Sequence, residues 1–296
     1  MSDESTVPDP NREALAAGVV TRLTPRVRRL VAPNPSAFTF TGTCSYILGD
    51  GEVAILDPGP EIDAHIDALL AATQGERLVA IVVTHTHRDH SALAARLKAA
   101  TSAPIVGARP HVFLDGPAQG YDASHDRGYA PDRILSDGET FSLPGVTLQA
   151  IETPGHAANH LCFALAEENS LFSGDHVMAW STSVVAPPDG SMTDYMASLD
   201  KLRGRAETIY WPGHGGPVTD PERYVRALTG HRRQREGSIL SRLEAGAMTI
   251  PAIVESVYAG LDPKLFGAAS LSTRAHLEDL MRRGLVAEAA GQYRKI

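Results

Sequence analysis

An apolar run, Leu78 to Val83, leads directly into Thr84-His85-Thr86-His87-Arg88-Asp89-His90, which packs three imidazoles and a carboxylate into six positions. The run is too short to carry an amphipathic helical face and reads as a buried strand. Ser91 to Ala100, which follows, sets Leu93 and Leu97 at helical spacing among alanines. The cluster therefore sits on a strand-to-helix turn at the end of a sheet. In extended backbone, residues i and i+2 point the same way, so His85 and His87 can grip one ion, whereas Asp89 and His90 turn into the helix and aim elsewhere. Two adjacent metal positions result, and each still lacks ligands.

Other strand-like runs end in the same manner. Val53 to Leu56 closes on Asp57-Pro58-Gly59-Pro60, and Val146 to Ile151 delivers Thr153-Pro154-Gly155-His156. Leu161 to Leu165 turns at Glu167-Glu168-Asn169 into Leu171-Phe172, which ends in Ser173-Gly174-Asp175-His176; Thr208 to Trp211 ends in Pro212-Gly213-His214. The repetition is stronger evidence for a site than any one of these motifs. Between them, Val19 to Leu30 and Phe38 to Leu48 alternate as strands do, Glu61 to Ala72 has a helical apolar face (Ile62, Ile66, Leu69, Leu70), and Asp194 to Leu202 places Met196 and Leu199 inward. Residues 116 to 131 lack periodicity and read as a long loop, either a lid or an insertion; residues 1 to 16 read as loose.

The motif His-x-His-x-Asp-His at 85–90 resembles the signature of the metallo-β-lactamase superfamily, whose members are mostly binuclear metallohydrolases. The strand closing on Asp57-x-Gly59 is similar to its first motif, and Asn34-Pro35 through Gly42-Thr43-x-x-Tyr46 resembles its β-lactamase-like protein 2 group. The resemblance implies an α/β fold, an αββα sandwich over residues 1–218, followed by a small winged-helix-like domain over residues 219–296. It also implies the ligand set: His85, His87 and His156 on a first ion, Asp89, His90 and His214 on a second, and Asp175 bridging the two. Asp57 either lies beneath the metals or caps the turn before the next helix. His160 and His176 either donate to a leaving group or steady a ligand, or are structural. His176 departs from the residue that endoribonucleases of the group often carry after the bridging Asp. His65, His111, His125, His231 and His276 fall outside the matched motifs and read as surface or packing residues.

Nitrogen and oxygen donors without thiolate suit two zinc ions, and also iron or manganese. Such a pair, roughly 3.5–4 Å apart, can hold a bridging hydroxide at neutral pH, so no Ser or Cys nucleophile is required, and Asp89 can orient the attack. The expected activity is metal-dependent hydrolysis, with a small-molecule acyl thioester or ester as the first substrate class. The segment Trp180 to Met192 carries no Lys or Arg and would offer apolar and hydroxyl groups to a substrate. The alternatives are an endoribonuclease acting on single-stranded RNA, an iron-dependent persulfide dioxygenase, and a nucleic-acid-binding module with structural metals.

Charge bears on that choice. The net charge is -8, yet residues 220–296 carry 12 Lys/Arg against 9 Asp/Glu, so the body before them holds -11, which disfavours a long polyanion. The arginine-rich end, with helices over Tyr224 to Leu243, Thr249 to Tyr258 and Leu271 to Arg283 and a hairpin over Leu285 to Tyr293, either contacts nucleic acid through Arg274, Arg282 and Arg283 or serves as a packing or dimerisation appendage. Cys44 and Cys162 are the only cysteines and read as buried, inert thiols. No apolar stretch approaches the ~20 residues of a membrane span, and an acidic start replaces the basic one of a secretory signal; the expected location is the cytoplasm.

Overall fold

The computed structural model describes residues 15–113 and 124–296, so the expectations for residues 1–14 and for the first part of the 116–131 loop lie outside the described residues. The first half builds β1 (Thr21–Arg22), β2 (Val27–Val31), β3 (Cys44–Asp50), β4 (Glu52–Leu56), α1 (Asp63–Ala72), β5 (Arg77–Val83), α2 (Arg88–Ser91), α3 (Ala94–Thr101), β6 (Ile105–Gly107) and β7 (Arg133–Ile134). These strands form one seven-stranded sheet in chain order, antiparallel through β4 and parallel from β4 to β7. The second half builds β8 (Thr140–Leu143), β9 (Val146–Glu152), β10 (Leu161–Leu165), β11 (Ser170–Gly174), α4 (Met192–Leu202) and β12 (Ile209–Pro212), a five-stranded sheet in the order β12-β11-β10-β9-β8.

The period-two alternation of the strands sorts their side chains into layers. Tyr46, Leu48, Ala54, Leu56 and Val82 meet Leu148, Ala150, Phe163 and Phe172 between the two sheets. Their neighbours Ile47, Ile55, Ile81 and Val83 pack outward against Ile66, Leu69, Leu93 and Leu97 of the flanking helices. On the far side, Cys162, Leu171 and Tyr210 pack against Tyr195, Leu199 and Leu202 of α4. The layering is helix, sheet, sheet, helix, as expected, and each fully buried Leu or Ile side chain contributes about 1.5–3 kcal/mol. Both cysteines are free and buried, and burial pushes the Cys44 thiol up to about 11 and that of Cys162 to about 12.

The remaining chain forms α5 (Pro221–Leu243), α6 (Ile250–Val257), α7 (Phe266–Arg282) and the antiparallel hairpin of β13 (Val286–Ala289) and β14 (Gln292–Lys295). Asp220 and Thr249 cap α5 and α6, accepting from the amides of Arg223 and Ala252, and each helix has proline in its first turn. The helix α5 is shared: Tyr224, Val225 and Leu228 join the outer core of the second sheet, while Ile239 and Leu243 join a separate core with Ile253, Leu277, Leu280 and Val286. No described helix is long and apolar enough to cross a membrane.

One helix differs from expectation. The segment after the histidine cluster is helical from Arg88, breaks, and resumes at Ala94. The cause is the Leu93 amide, which donates to the Gly59 carbonyl at 3.1 Å and so leaves the helical ladder to tie this turn to the Asp57 loop.

Candidate metal centre

The ends of β5, β9, β11 and β12 converge on one edge of the sandwich. Nε2 of His85 lies 3.0 Å from Nδ1 of His87, and Nε2 of His156 lies 3.1 Å from the same atom. Beside this trio, Nε2 of His90 and Nε2 of His214 are 3.3 Å apart, and Oδ2 of Asp89 is 3.6 and 3.3 Å from them. Asp175 lies between the trios: its Oδ2 is 3.6 Å from His156 Nε2 and 3.3 Å from His214 Nε2, and its Oδ1 is 3.4 Å from His90 Nε2. Gly213 permits this approach, because a Cβ there would stand 2.5 Å from Asp175 Oδ1 and 2.6 Å from His90 Cε1.

The outer ring nitrogens reveal which way the inner ones face. His156 Nδ1 donates to the Val184 carbonyl (2.7 Å), His214 Nδ1 to the Gly42 carbonyl (3.3 Å), and His90 Nδ1 to Oδ2 of Asp57 (2.9 Å). Thr84 Oγ1 donates to Asp57 Oδ2, so it accepts from Nδ1 of His85 at 3.0 Å. With protons committed outward on His85 and His156, their Nε2 atoms present lone pairs inward, toward Nδ1 of His87. Oδ1 of Asp175 is buried and makes no hydrogen bond. These converging lone pairs and the unsatisfied carboxylate oxygen fit a divalent cation, and His85-His87-His156 and Asp89-His90-His214 each bring ligand atoms within 4.8 Å of one another.

The electrostatics of the two trios differ. Burial, reinforced by neighbouring imidazoles, holds His85 and His87 well below their ordinary values, so they are neutral nitrogen donors. Burial also opposes charge on His90 and His214, but the carboxylates outweigh it, Asp175 first in both cases, raising His90 well above its ordinary value and His214 to about 9. Burial would raise Asp89 and Asp175 in turn, and the two imidazoles more than offset it and hold both below the usual carboxylate range. The second trio thus holds protons that a cation would displace.

Asp57 lies under His90 and does not cap α1, whose N-cap is Ile62 without a side-chain bond. It is buried with φ +51°, a conformation that Asp tolerates better than most residues, and its Oδ1 also accepts from the Thr84 amide at 2.8 Å. His160 donates from Nδ1 to Thr153 Oγ1 (2.9 Å) and accepts at Nε2 from the Asp175 amide (3.1 Å), fixing the backbone of that carboxylate. His176 takes no comparable place: its ring packs against Tyr195 at 4.7 Å, both nitrogens are buried without partners, and it does not line the cavity.

His111 and His125, expected as surface or packing residues, instead hold a buried carboxylate beside the first trio. Asp189, whose side chain is 3 % exposed, lies 3.1 Å from His125 Nε2 and 3.3 Å from His111 Nδ1, and the two rings stack at 3.7 Å. Asn159 donates to Thr86 Oγ1, which leaves that hydroxyl to donate to His125 Nδ1 at 2.8 Å and His125 Nε2 to donate to Asp189. His125 pairs its backbone with His87, and the rings are 4.5 Å apart. Nothing local in the sequence marks Asp189, which sits in a proline-rich loop far from both histidines.

A cavity of about 390 Å³ opens over the centre, lined by Phe38, His87, Asp89, Ser124, His156, Asp175, Met178, Val184, His214 and Leu271. Residues 38–214 match the metallo-β-lactamase superfamily, and residues 249–294 match the β-lactamase-associated winged helix domain. The chain belongs to the metallo-β-lactamase superfamily. It is an enzyme of that fold, with a C-terminal winged helix domain, and the fold implies metal binding at its His/Asp clusters. The chain is 31% identical over 253 residues to an atrochrysone carboxyl ACP thioesterase of Aspergillus chevalieri, covering 81% of this chain and 75% of that one. It is 31% identical over 278 residues to the β-lactamase-like protein 2 homolog of Caenorhabditis elegans, covering 90% and 88%. Among solved structures, a metallo-β-lactamase family protein of Thermus thermophilus superposes with a TM-score of 0.76 at 24% identity, over 93% of this chain and all of that one. A β-lactamase domain protein of Burkholderia ambifaria gives 0.78 at 20% identity, over 95% and 94%.

Proposed function

We propose that the chain is a binuclear metal-dependent hydrolase of acyl thioesters or esters, with zinc as its metal, iron or manganese being the other ions that these donors suit. His85, His87 and His156 would hold one ion, Asp89, His90 and His214 the other, and Asp175 both. When bound, the ions would supply Lewis acidity to a substrate carbonyl and acidify the attacking water.

The observation that carries the substrate class is the cavity wall. Phe38, Met178, Val184 and Leu271 make it apolar, and none of its described lining residues is Lys or Arg, so it offers no counter-charge to a phosphate backbone. The arginines considered for nucleic-acid contact are engaged with acidic neighbours: Arg274 with Glu278, Arg282 with Asp279, and Arg283 with Glu236 and Asp279. The thioesterase among the relatives supports the same reading.

The chain's own residues supply the proton handling. Asp89 is the ligand-set member most open to the cavity, with its side chain 29 % exposed, and its carboxylate can accept a hydrogen bond from an attacking water and orient it as the new C–O bond forms. The C–S bond then breaks, and the leaving thiolate, a far stronger base than a carboxylate, takes up the proton that the water gives up, without any further acid. Water and thioester yield one carboxylic acid and one thiol. The test is kcat/KM measured side by side on an acyl thioester series and on unstructured RNA, with Asp89→Ala as the contamination control. Thioester turnover lost in that variant is the expected result; metal-dependent RNA cleavage without acyl turnover would replace this reading with the endoribonuclease.

A further inference from the structure

The winged helix domain is part of the cavity. Leu271, on the first half of α7, is the lining residue that lies beyond residue 214, where the superfamily match ends. The same C-terminal region grips the loop that supplies two further lining residues, Met178 and Val184. Tyr224 Oη of α5 donates to the carbonyls of Met178 (2.7 Å) and Ala179 (3.1 Å), and Arg232 of α5 donates to the Ser183 carbonyl at 2.5 Å. The next residue, Val184, both lines the cavity and accepts from His156 Nδ1. Ala275, one helical turn beyond Leu271, is buried in the core with Tyr195 and Leu199 of α4, and Thr193 of α4 bonds Asp279 of α7, so α7 is anchored on α4 just beyond Leu271.

We infer that Leu271 is a specificity-determining residue, forming with Met178, Val184 and Phe38 the wall against which an apolar acyl chain lies, so that the winged helix domain selects acyl length. This rests on the thioesterase reading. Position 271 touches none of the proposed metal ligands through hydrogen bonds, so its size sets the room for the acyl group without altering the chemistry at the carbonyl. An apolar contact of this kind changes selectivity by about 10-fold or more per well-packed group, because the chain must otherwise leave its end in water or clash.

The experiment uses the full-length, metal-loaded enzyme and N-acetylcysteamine thioesters from acetyl to decanoyl, comparing wild type, Leu271→Ala, Leu271→Trp and the surface control Arg274→Ala, with metal content and Tm recorded for each. A second readout is the Kd of octanoate by calorimetry. The expected result is that Leu271→Trp lowers the ratio of long-chain to acetyl kcat/KM at least about 10-fold with metal content retained, that Leu271→Ala shifts the preferred length, and that octanoate affinity follows the same order. An unchanged chain-length profile in both variants, with thioesters still hydrolysed, would overturn this inference and leave the thioesterase reading standing. Absence of thioester turnover at every length in the metal-loaded wild type would overturn both.

Discussion

One oxygen of Asp175, Oδ2, lies 3.3 Å from Nε2 of His214 and, on its other side, 3.6 Å from Nε2 of His156, so a single carboxylate reaches both histidine groups. Asp175→Ala removes the only described side chain placed to serve both. Turnover should fall to background and bound metal should drop, while the fold, which rests on the two sheets and their helices, survives by circular dichroism. A variant that keeps two ions and most of its rate would show that Asp175 does not bridge.

Asp57 acts one layer below. Its Oδ2 accepts the hydrogen bond from Nδ1 of His90 and thereby aims Nε2 inward. Asp57→Asn should keep the shape but lose the charge that favours this tautomer, weakening metal affinity by about 10–100-fold, measured by competition with a chelator. The effect should be concentrated on the ion that His90 would hold.

Gly213→Ala tests the close approach between strand ends. The added Cβ would meet Asp175 Oδ1 and His90 Cε1 at 2.5 and 2.6 Å, and relieving that overlap should cost about 1–3 kcal/mol of stability and misplace both groups. Metal content and Tm should fall together, where Gly230→Ala, on an open helix surface, should leave metal content in place and raise Tm slightly by removing a helical glycine.

Acid stability follows from two buried histidines away from the centre's ligands. In the unfolded chain an imidazole binds its proton near pH 6.5, whereas burial lowers His65 to about 4 and His276 to about 3. Their contribution is therefore complete above pH 6.5, falls as pH drops because the unfolded state binds protons that the fold refuses, and levels off below about 4 and 3 respectively. His276→Phe should make the stability loss across that window shallower by up to about 1.4 kcal/mol per pH unit, read from denaturant titrations at several pH values.

The strand ends that carry the candidate centre were legible because each is an apolar run broken abruptly by metal-binding side chains, by the histidines themselves at Leu78 to His90 and with Gly or Pro beside the ligand at Leu171 to Asp175 and Thr208 to His214. The layering was legible for the same reason, since strands such as Cys44–Asp50 bury both faces. Contacts between distant loops were not. Asp189, His111 and His125 meet only because the fold stacks three loops beside His87, and no spacing encodes that. The place of Leu271 was equally hidden: at helical spacing it reads as one more apolar residue of α7, and only the packing of α7 on α4 turns it toward the cavity. The helix break at Leu93 arose from a backbone bond to Gly59, which side-chain periodicity does not register.

A binuclear centre that hydrolyses acyl thioesters is tested by adding zinc stepwise to the metal-stripped protein while following both bound metal and thioester turnover. Saturation at two ions per chain is expected, with turnover appearing fully only as the second site fills. Saturation at a single ion, or activity restored only by one iron per chain with consumption of dioxygen, would contradict it.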